Sequence, residues 1–229
     1  MKNREQKYLP MSVEVLAGLF PAIWICGSLG LLYAFVALEQ WRPYLIFGLF
    51  FWLYLAAPLV CRLVLMAYPI RRGSSPVGKK APGHPWLFTF FLQQPYNSFP
   101  ALERALRLIP GIYSQWLRLW GAKIGAGIIW TPRCQIVDRP LVSIGNRTIV
   151  GNESYIASHA LIRKNGALNL FIAPVEIGSH CVLGLRSVVS PGTRMKDFTN
   201  LNAGEVAGPF KGQAAKARGT EADLLELKQ

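Results

Sequence analysis

The chain has 229 residues, 52% of them hydrophobic, and carries 25 Lys and Arg against 12 Asp and Glu, for a net charge of +13. So large an apolar share with only 16% charged residues fits poorly with one compact soluble domain. The excess of base comes with no nucleic-acid recognition motif, and there is no P-loop, dinucleotide fingerprint or metal-ligand cluster.

From the N-terminus, Val15 to Leu38 contains no charged residue. At 1.5 Å per helical residue it is long enough to cross a hydrocarbon core about 30 Å thick. After the polar stretch Glu39 to Pro43, a second apolar run from Tyr44 to Tyr68 is interrupted only by Arg62. That side chain stands about 27 Å along a helix begun at Tyr44, where a long cationic residue can snorkel to the far interface. A cleavable signal would be shorter and would lack a second run, so residues 1–70 read as an anchor of two transmembrane helices. Lys2, Arg4 and Lys7 precede the hairpin and Arg71, Arg72, Lys79 and Lys80 follow it, which places both ends in the cytoplasm. A buried soluble hairpin is the alternative.

Between Ile70 and Lys123 there are eight Lys or Arg and one acid. Juxtamembrane contact with anionic headgroups accounts for this balance, and no nucleic acid is expected as a partner. Residues 71–116 read as a basic Gly/Pro-rich linker followed by amphipathic segments at Ala101–Ile109 and Ile112–Trp120. These lie on the membrane surface or plug the first coil of the domain that follows; the spacing allows both.

From 117 to 210 the period changes to six. Ile124, Trp130 and Ile136, then Ile144, Val150, Ile156 and Ile162, then Ile177, Leu183, Val189, Met195 and Leu201 carry it. Glycine or alanine commonly follows each, and a small residue stands four positions on, as at Cys134, Thr148, Ser154, Cys181 and Ser187. This is the pattern of a parallel β-helix, in which the bulky residue fills the interior and the small one fits the corner. The expected fold is therefore mainly β, with a C-terminal tail at 211–229. Cys26 and Cys61 fall in the spans and Cys134 and Cys181 in small-residue slots, so all four read as packing residues in a reducing compartment.

The segment from Val175 to Gly192 is similar to the closing coils of the hexapeptide-repeat acyltransferases, the left-handed β-helix family of maltose, galactoside, xenobiotic, serine and colanic-acid acetyltransferases. The resemblance implies a left-handed coil, acyl transfer from acetyl-CoA or another acyl-CoA without a metal, and a homotrimer with shared sites. It also implies a role for His159, three residues after Ile156 and just before the irregular stretch Arg163–Leu170: the general base, suited by an ordinary pKa near 6.5. A surface histidine on a turn is the plainer reading. Asp138 is the first candidate to orient the imidazole, or else an ordinary turn aspartate before Pro140; Asn152 and Glu153 are weaker ones. If Phe171 opens a further hexad, Ile177 stacks on Ile156 and His180 comes about 4.8 Å from His159, either as an assistant or as a turn residue. By resemblance Gly184 and Ser187 line the pantetheine channel, and Arg186, Arg194 and Lys196 meet coenzyme A phosphates or the acidic surface of an acyl carrier protein.

The reading is a membrane-bound acyltransferase at the cytoplasmic face of a bacterial inner membrane, modifying a hydroxyl or amine of a lipid-linked or surface-glycan acceptor. One alternative donor is a carrier-protein or peptidyl thioester, since Trp116–Gly125 and Ile136–Gly145 also resemble the membrane-embedded β-helical parts of poly-amino-acid synthetases. A non-catalytic trimeric membrane scaffold is the rival from another class.

Overall fold

The computed structural model of the chain describes residues 10–77, 84–164 and 166–209. Lys2, Arg4, Lys7, Lys79, Lys80 and the tail at 211–229 lie outside them. The chain divides into a helical unit, which reaches to Arg71 and resumes from Pro76 to Ala122, and a β unit made of Arg72–Ser75 and the chain from Lys123 onward.

In the helical unit, α1 (Met11–Ala37) follows Pro10 and carries no charge after Glu14. The second span, Glu39–Ala67, consists of a 3-10 turn, α2 (Arg42–Phe50), a π-helical turn at Phe51–Ala56 and α3 (Ala57–Ala67). Both spans are long and apolar enough to cross a membrane. Many of their large side chains, Val15, Leu29, Tyr33, Phe47 and Leu63 among them, are exposed. The π-turn has a local cause: Pro58 has no N–H for the carbonyl of Tyr54 four residues back, so the ladder loosens there. The loosened carbonyls are taken by other helices. Tyr96 Oη donates to Leu53 O at 2.8 Å and Trp116 Nε1 to Tyr54 O at 2.8 Å.

Those donors belong to α4 (Pro85–Ser98) and α6 (Ile112–Leu119), which with α5 (Pro100–Arg107) complete the unit. His84 caps α4, its Nδ1 accepting the Trp86 N–H at 3.1 Å. Burial, and then the charge of Arg71, lowers its pKa, which favours the neutral ring that the cap requires. Across α5 and α6, Glu103 Oε2 accepts from Arg107 Nη2 at 2.6 Å and from Tyr113 Oη at 2.8 Å. The amphipathic segments thus bury their faces within the helical unit.

The β unit is a left-handed parallel β-helix of four coils. The first contains β2 (Lys123–Ile124), β3 (Ile129–Trp130) and β4 (Gln135–Ile136), and the second β5 (Val142–Ile144), β6 (Ile149–Val150) and β7 (Tyr155–Ile156). A hairpin of β8 (His159–Lys164) and β9 (Ala167–Ile172) then projects. The third coil contains β10 (Val175–Ile177), β11 (Val182–Leu183) and β12 (Val188–Val189), and the fourth β13 (Arg194–Met195), β14 (Asn200–Leu201) and β15 (Val206–Ala207). Linker strand β1 (Gly73–Pro76) adds to the hairpin on the β9 side.

The register stacks like on like. Ile124, Ile144, Ile177 and Met195 form one inward column, Trp130, Val150, Leu183 and Leu201 the second, and Ile136, Ile156, Val189 and Ala207 the third. Each fully buried Ile, Val or Leu in these columns contributes about 1.5–3 kcal/mol. The small slots close the corners: Thr148 Oγ1 donates to Gly178 O at 2.9 Å and Ser154 Oγ to Gly151 O at 2.7 Å. Gly184 must lack a side chain, because a Cβ there would stand 2.5 Å from the backbone N of Ala203 in the next coil.

Two expected repeat positions are corrected. Ile162 and Phe171 belong to the hairpin, pairing with Asn169 and Ala160 respectively, and Ala207 completes the fourth coil instead. A spacing of six is also a multiple of the strand period of two, so Ile156 to Ile162 satisfies both patterns.

Candidate active site

Eight residues rather than six separate Ile136 from Ile144, and the extra ones form a short 3-10 turn at Arg139–Leu141. The turn tucks Asp138 inward until it is almost fully buried. Because Ile136 pairs with Ile156, Asp138 lies against Ser158 and His159 on the neighbouring coil. Its Oδ2 accepts the Ser158 N–H at 2.7 Å and stands 2.7 Å from His159 Nδ1. The Asp138 side chain is 2% exposed and that of His159 19%. A carboxylate oxygen accepts hydrogen bonds, so this contact sets the proton on Nδ1 and leaves the Nε2 lone pair available as a base.

His159 begins β8 and is held in line by pairing with buried Ile172 at the foot of the hairpin. Strand β1 supports that hairpin, with Ser75 Oγ 3.5 Å from Leu170 O. Beside the pair stands Tyr155, whose phenol is pushed above its ordinary pKa by burial and then by the Asp138 charge. Sequence reasoning missed Tyr155, β1 and the Ser158 amide. The outward position before Ile156 is the one signal that could have marked the tyrosine.

His180 is not stacked on His159. Ile177 pairs with Ile144 and Ile156 with Val189, so His180 falls at a different corner of the coil, in the left-handed region at φ 56°. There its ring stacks on Phe198 at 4.8 Å and 6°. The error has one source, the hairpin read as a hexad. Asn152 and Glu153 are also elsewhere: Asn152 Oδ1 accepts from Arg133 N, and Glu153 bridges Arg133 Nη1 at 3.1 Å and Arg186 Nε at 2.6 Å. The hydrogen bond to Arg186 and then that to Arg133 lower the Glu153 pKa.

The residues expected at the donor are dispersed. Ser187 is fully buried in a small slot, and Gly184 lies beneath the next coil, with its N–H bonded to Leu201 O at 2.8 Å. Neither presents a group to a donor within one chain. All three cations are exposed, Arg186 between β11 and β12 and Arg194 and Lys196 on either side of Met195 in β13, with Arg186 held by Glu153 and Arg194 by Glu176 at 3.3 Å. Among the described residues no group of three or more His, Cys, Asp or Glu side chains could hold a metal ion.

No family model and no curated protein sequence matches the chain. Solved structures that resemble it in part include three acyltransferases. A maltose O-acetyltransferase from Clostridium difficile 630 is 15% identical, with 49% of this chain and 75% of that one covered at a TM-score of 0.39. A galactoside acetyltransferase in complex with coenzyme A is 15% identical over 45% and 67%, at 0.32. A mutant of AntD, an N-acyltransferase from Bacillus cereus in complex with dTDP and coenzyme A, is 13% identical over 37% and 61%, at 0.29. Likeness this slight carries no statement about activity.

Proposed function

We propose that the protein is a membrane-bound acyltransferase that moves an acyl group, acetyl first among the candidates, from a coenzyme A thioester to a hydroxyl or amine. The acceptor is a lipid-linked or surface-glycan intermediate at the cytoplasmic face of a bacterial inner membrane. The observation that carries this reading is the Asp138–His159 contact, a buried carboxylate holding Nδ1 of a partly exposed imidazole at 2.7 Å.

His159 Nε2 takes the proton of the acceptor as its oxygen or nitrogen attacks the thioester carbonyl. The carbon–sulfur bond then breaks, and the proton passes from Nε2 to the departing thiolate, which leaves as free thiol. Asp138 is a positioning residue that fixes the tautomer and favours the imidazolium formed midway. The two outward-facing apolar spans support anchoring in a membrane. Confinement of enzyme and acceptor to one plane raises their effective concentration. On the β unit, the outer face of the β3–β6–β11 ladder carries Ile129, Ile149 and Val182, all exposed, which supports burial of this face in a homotrimer. In that assembly Arg194 or Lys196 of a second copy would meet the donor phosphates.

The test uses the full chain in nanodiscs made with bacterial inner-membrane lipid, supplied in parallel with labelled acetyl-CoA and labelled acetyl carrier protein. Label should enter the lipid-linked fraction from acetyl-CoA, with free thiol released in step. Transfer from the carrier protein alone would change the donor, and release from neither would favour the trimeric scaffold.

A further inference from the structure

The residues that bond the helices of the first unit together stand at matching heights. Counted from Glu14, Trp24 lies about 15 Å along α1, and counted back from Arg62, Leu53 lies about 13 Å along the second span. If those charges mark the cytoplasmic edge of the hydrocarbon, both residues stand near the middle of a core about 30 Å thick. Tyr96 of α4 touches both levels: its ring lies 6.2 Å from that of Trp24 and its hydroxyl bonds Leu53 O. Phe99 stacks on Trp24 at 6.3 Å. Nearer the cytoplasmic end, Phe91 is the side chain closest to Gly18. Helix α4 therefore rises alongside α1, and Trp86, buried ten residues before Tyr96, falls about 15 Å lower, at the level of the cytoplasmic edge of the hydrocarbon.

We propose that α4 is a re-entrant helix, entering the cytoplasmic leaflet at Trp86, reaching the bilayer midplane near Tyr96–Phe99 and returning through α5 and α6, with lipid acyl chains as the partner of its outer face. The proposal rests on the reading of α1 and the second span as membrane-crossing. From Pro85 to Leu102 there is no charged residue, and the half-buried face of α4 turned from α1 carries Leu87 and Phe90, with Gln94 and Asn97 above them. Backbone left without a ladder partner is tolerated at this depth only where neighbouring helices satisfy it. Leu53 O and Tyr54 O, at the π-turn forced by Pro58, receive Tyr96 and Trp116, and Leu102 O receives Tyr54 Oη at 3.3 Å. Charges on the returning limb are paired as a low-dielectric site demands: the Glu103 and Arg107 side chains are 6% and 5% exposed and bonded to each other, and the Arg107 guanidinium lies 4.1 Å from the Tyr113 ring. Arg104 is exposed, and its aliphatic stem can carry the charge toward the headgroups.

The test is depth-dependent quenching in nanodiscs. In a Cys26→Ser background, a bimane label is placed in turn at Ile25→Cys on α1, Leu87→Cys at the foot of α4 and Ser98→Cys at its top, and quenched by lipids bearing nitroxide near the headgroup or deep in the chain. The ratio of deep to shallow quenching at position 98 should equal that at 25 and exceed that at 87. A label at 98 quenched only by aqueous iodide while 25 stays deep would overturn the re-entrant helix alone. An aqueous label at 25 as well would overturn the spanning reading beneath it, and with it this proposal.

Discussion

His159 and Asp138 are joined through a single oxygen that also caps the Ser158 amide, so chemistry and local structure meet at Oδ2. Asp138→Asn keeps an acceptor for that amide or turns its NH2 toward the ring, and in the second case the wrong tautomer is favoured. We expect kcat to fall by roughly 10- to 100-fold with the donor KM unchanged, and the pH–rate profile to move, which a purely structural defect would not do. His84 offers a test of a different kind. Its pKa lies below the ordinary value of 6.5, so the unfolded chain binds the proton first. Its contribution is complete above pH 6.5 and declines as pH falls through the folded value. Stability of the protein in detergent should therefore weaken as pH falls below about 6.5, and His84→Asn, which keeps a capping acceptor but cannot titrate, should flatten that slope. An unchanged slope in the variant would remove His84 from the account.

At the scale of elements, the coil shows its energetics at the glycines. Gly184→Ala would set a methyl carbon 2.5 Å from Ala203 N and 2.6 Å from Asn202 C, both backbone atoms that cannot swing aside. Overpacking of this kind costs about 1–3 kcal/mol, and calorimetry should show a lower melting temperature with no change in the helical unit. The coils were legible in the sequence because the inward columns repeat a single residue class at fixed spacing, and Asp138 was placed correctly because Ile136 and Ile156 keep their register across the 3-10 turn. The hairpin was not legible. Ile162 and Phe171 alternate as a half-buried strand does, and six is a multiple of two, so the same residues extended the hexad and carried His180 to the wrong corner. Strand β1 was hidden for the opposite reason: Gly73-Ser-Ser-Pro76 has no apolar pattern, and only the exposed edge of β9 gives it a place to pair. Helix α4 has too few turns to be read as a span, and its place beside the spans emerges only from contacts such as the bond of Tyr96 to Leu53 O.

For the whole molecule, the proposal that the first two helices form a membrane hairpin carries a prediction of sidedness. The expected arrangement has both ends of the hairpin in the cytoplasm, with Glu39–Pro43 outside. In intact cells a membrane-impermeant maleimide should label Gln40→Cys and leave Ser74→Cys protected until the membrane is opened; the reverse pattern would invert the topology and separate the β unit from cytoplasmic thioesters. The apolar column Ile129, Ile149 and Val182 bears on assembly in the same way. Native mass measurement in nanodiscs should give three copies, and Ile149→Asp should release monomers whose coil still melts cooperatively. A fully active monomer would confine the site to one chain.

The most direct test of acyl transfer at this site is turnover by His159→Ala, measured together with donor affinity in the same preparation. The imidazole points away from the interior columns, so the variant should fold, bind acyl-CoA as the parent does and lose roughly 10²- to 10⁴-fold in kcat, the usual contribution of a positioned acid–base group. A folded His159→Ala protein that acylates its acceptor at the parental rate would contradict the account and move proton abstraction away from the Asp138–His159 pair.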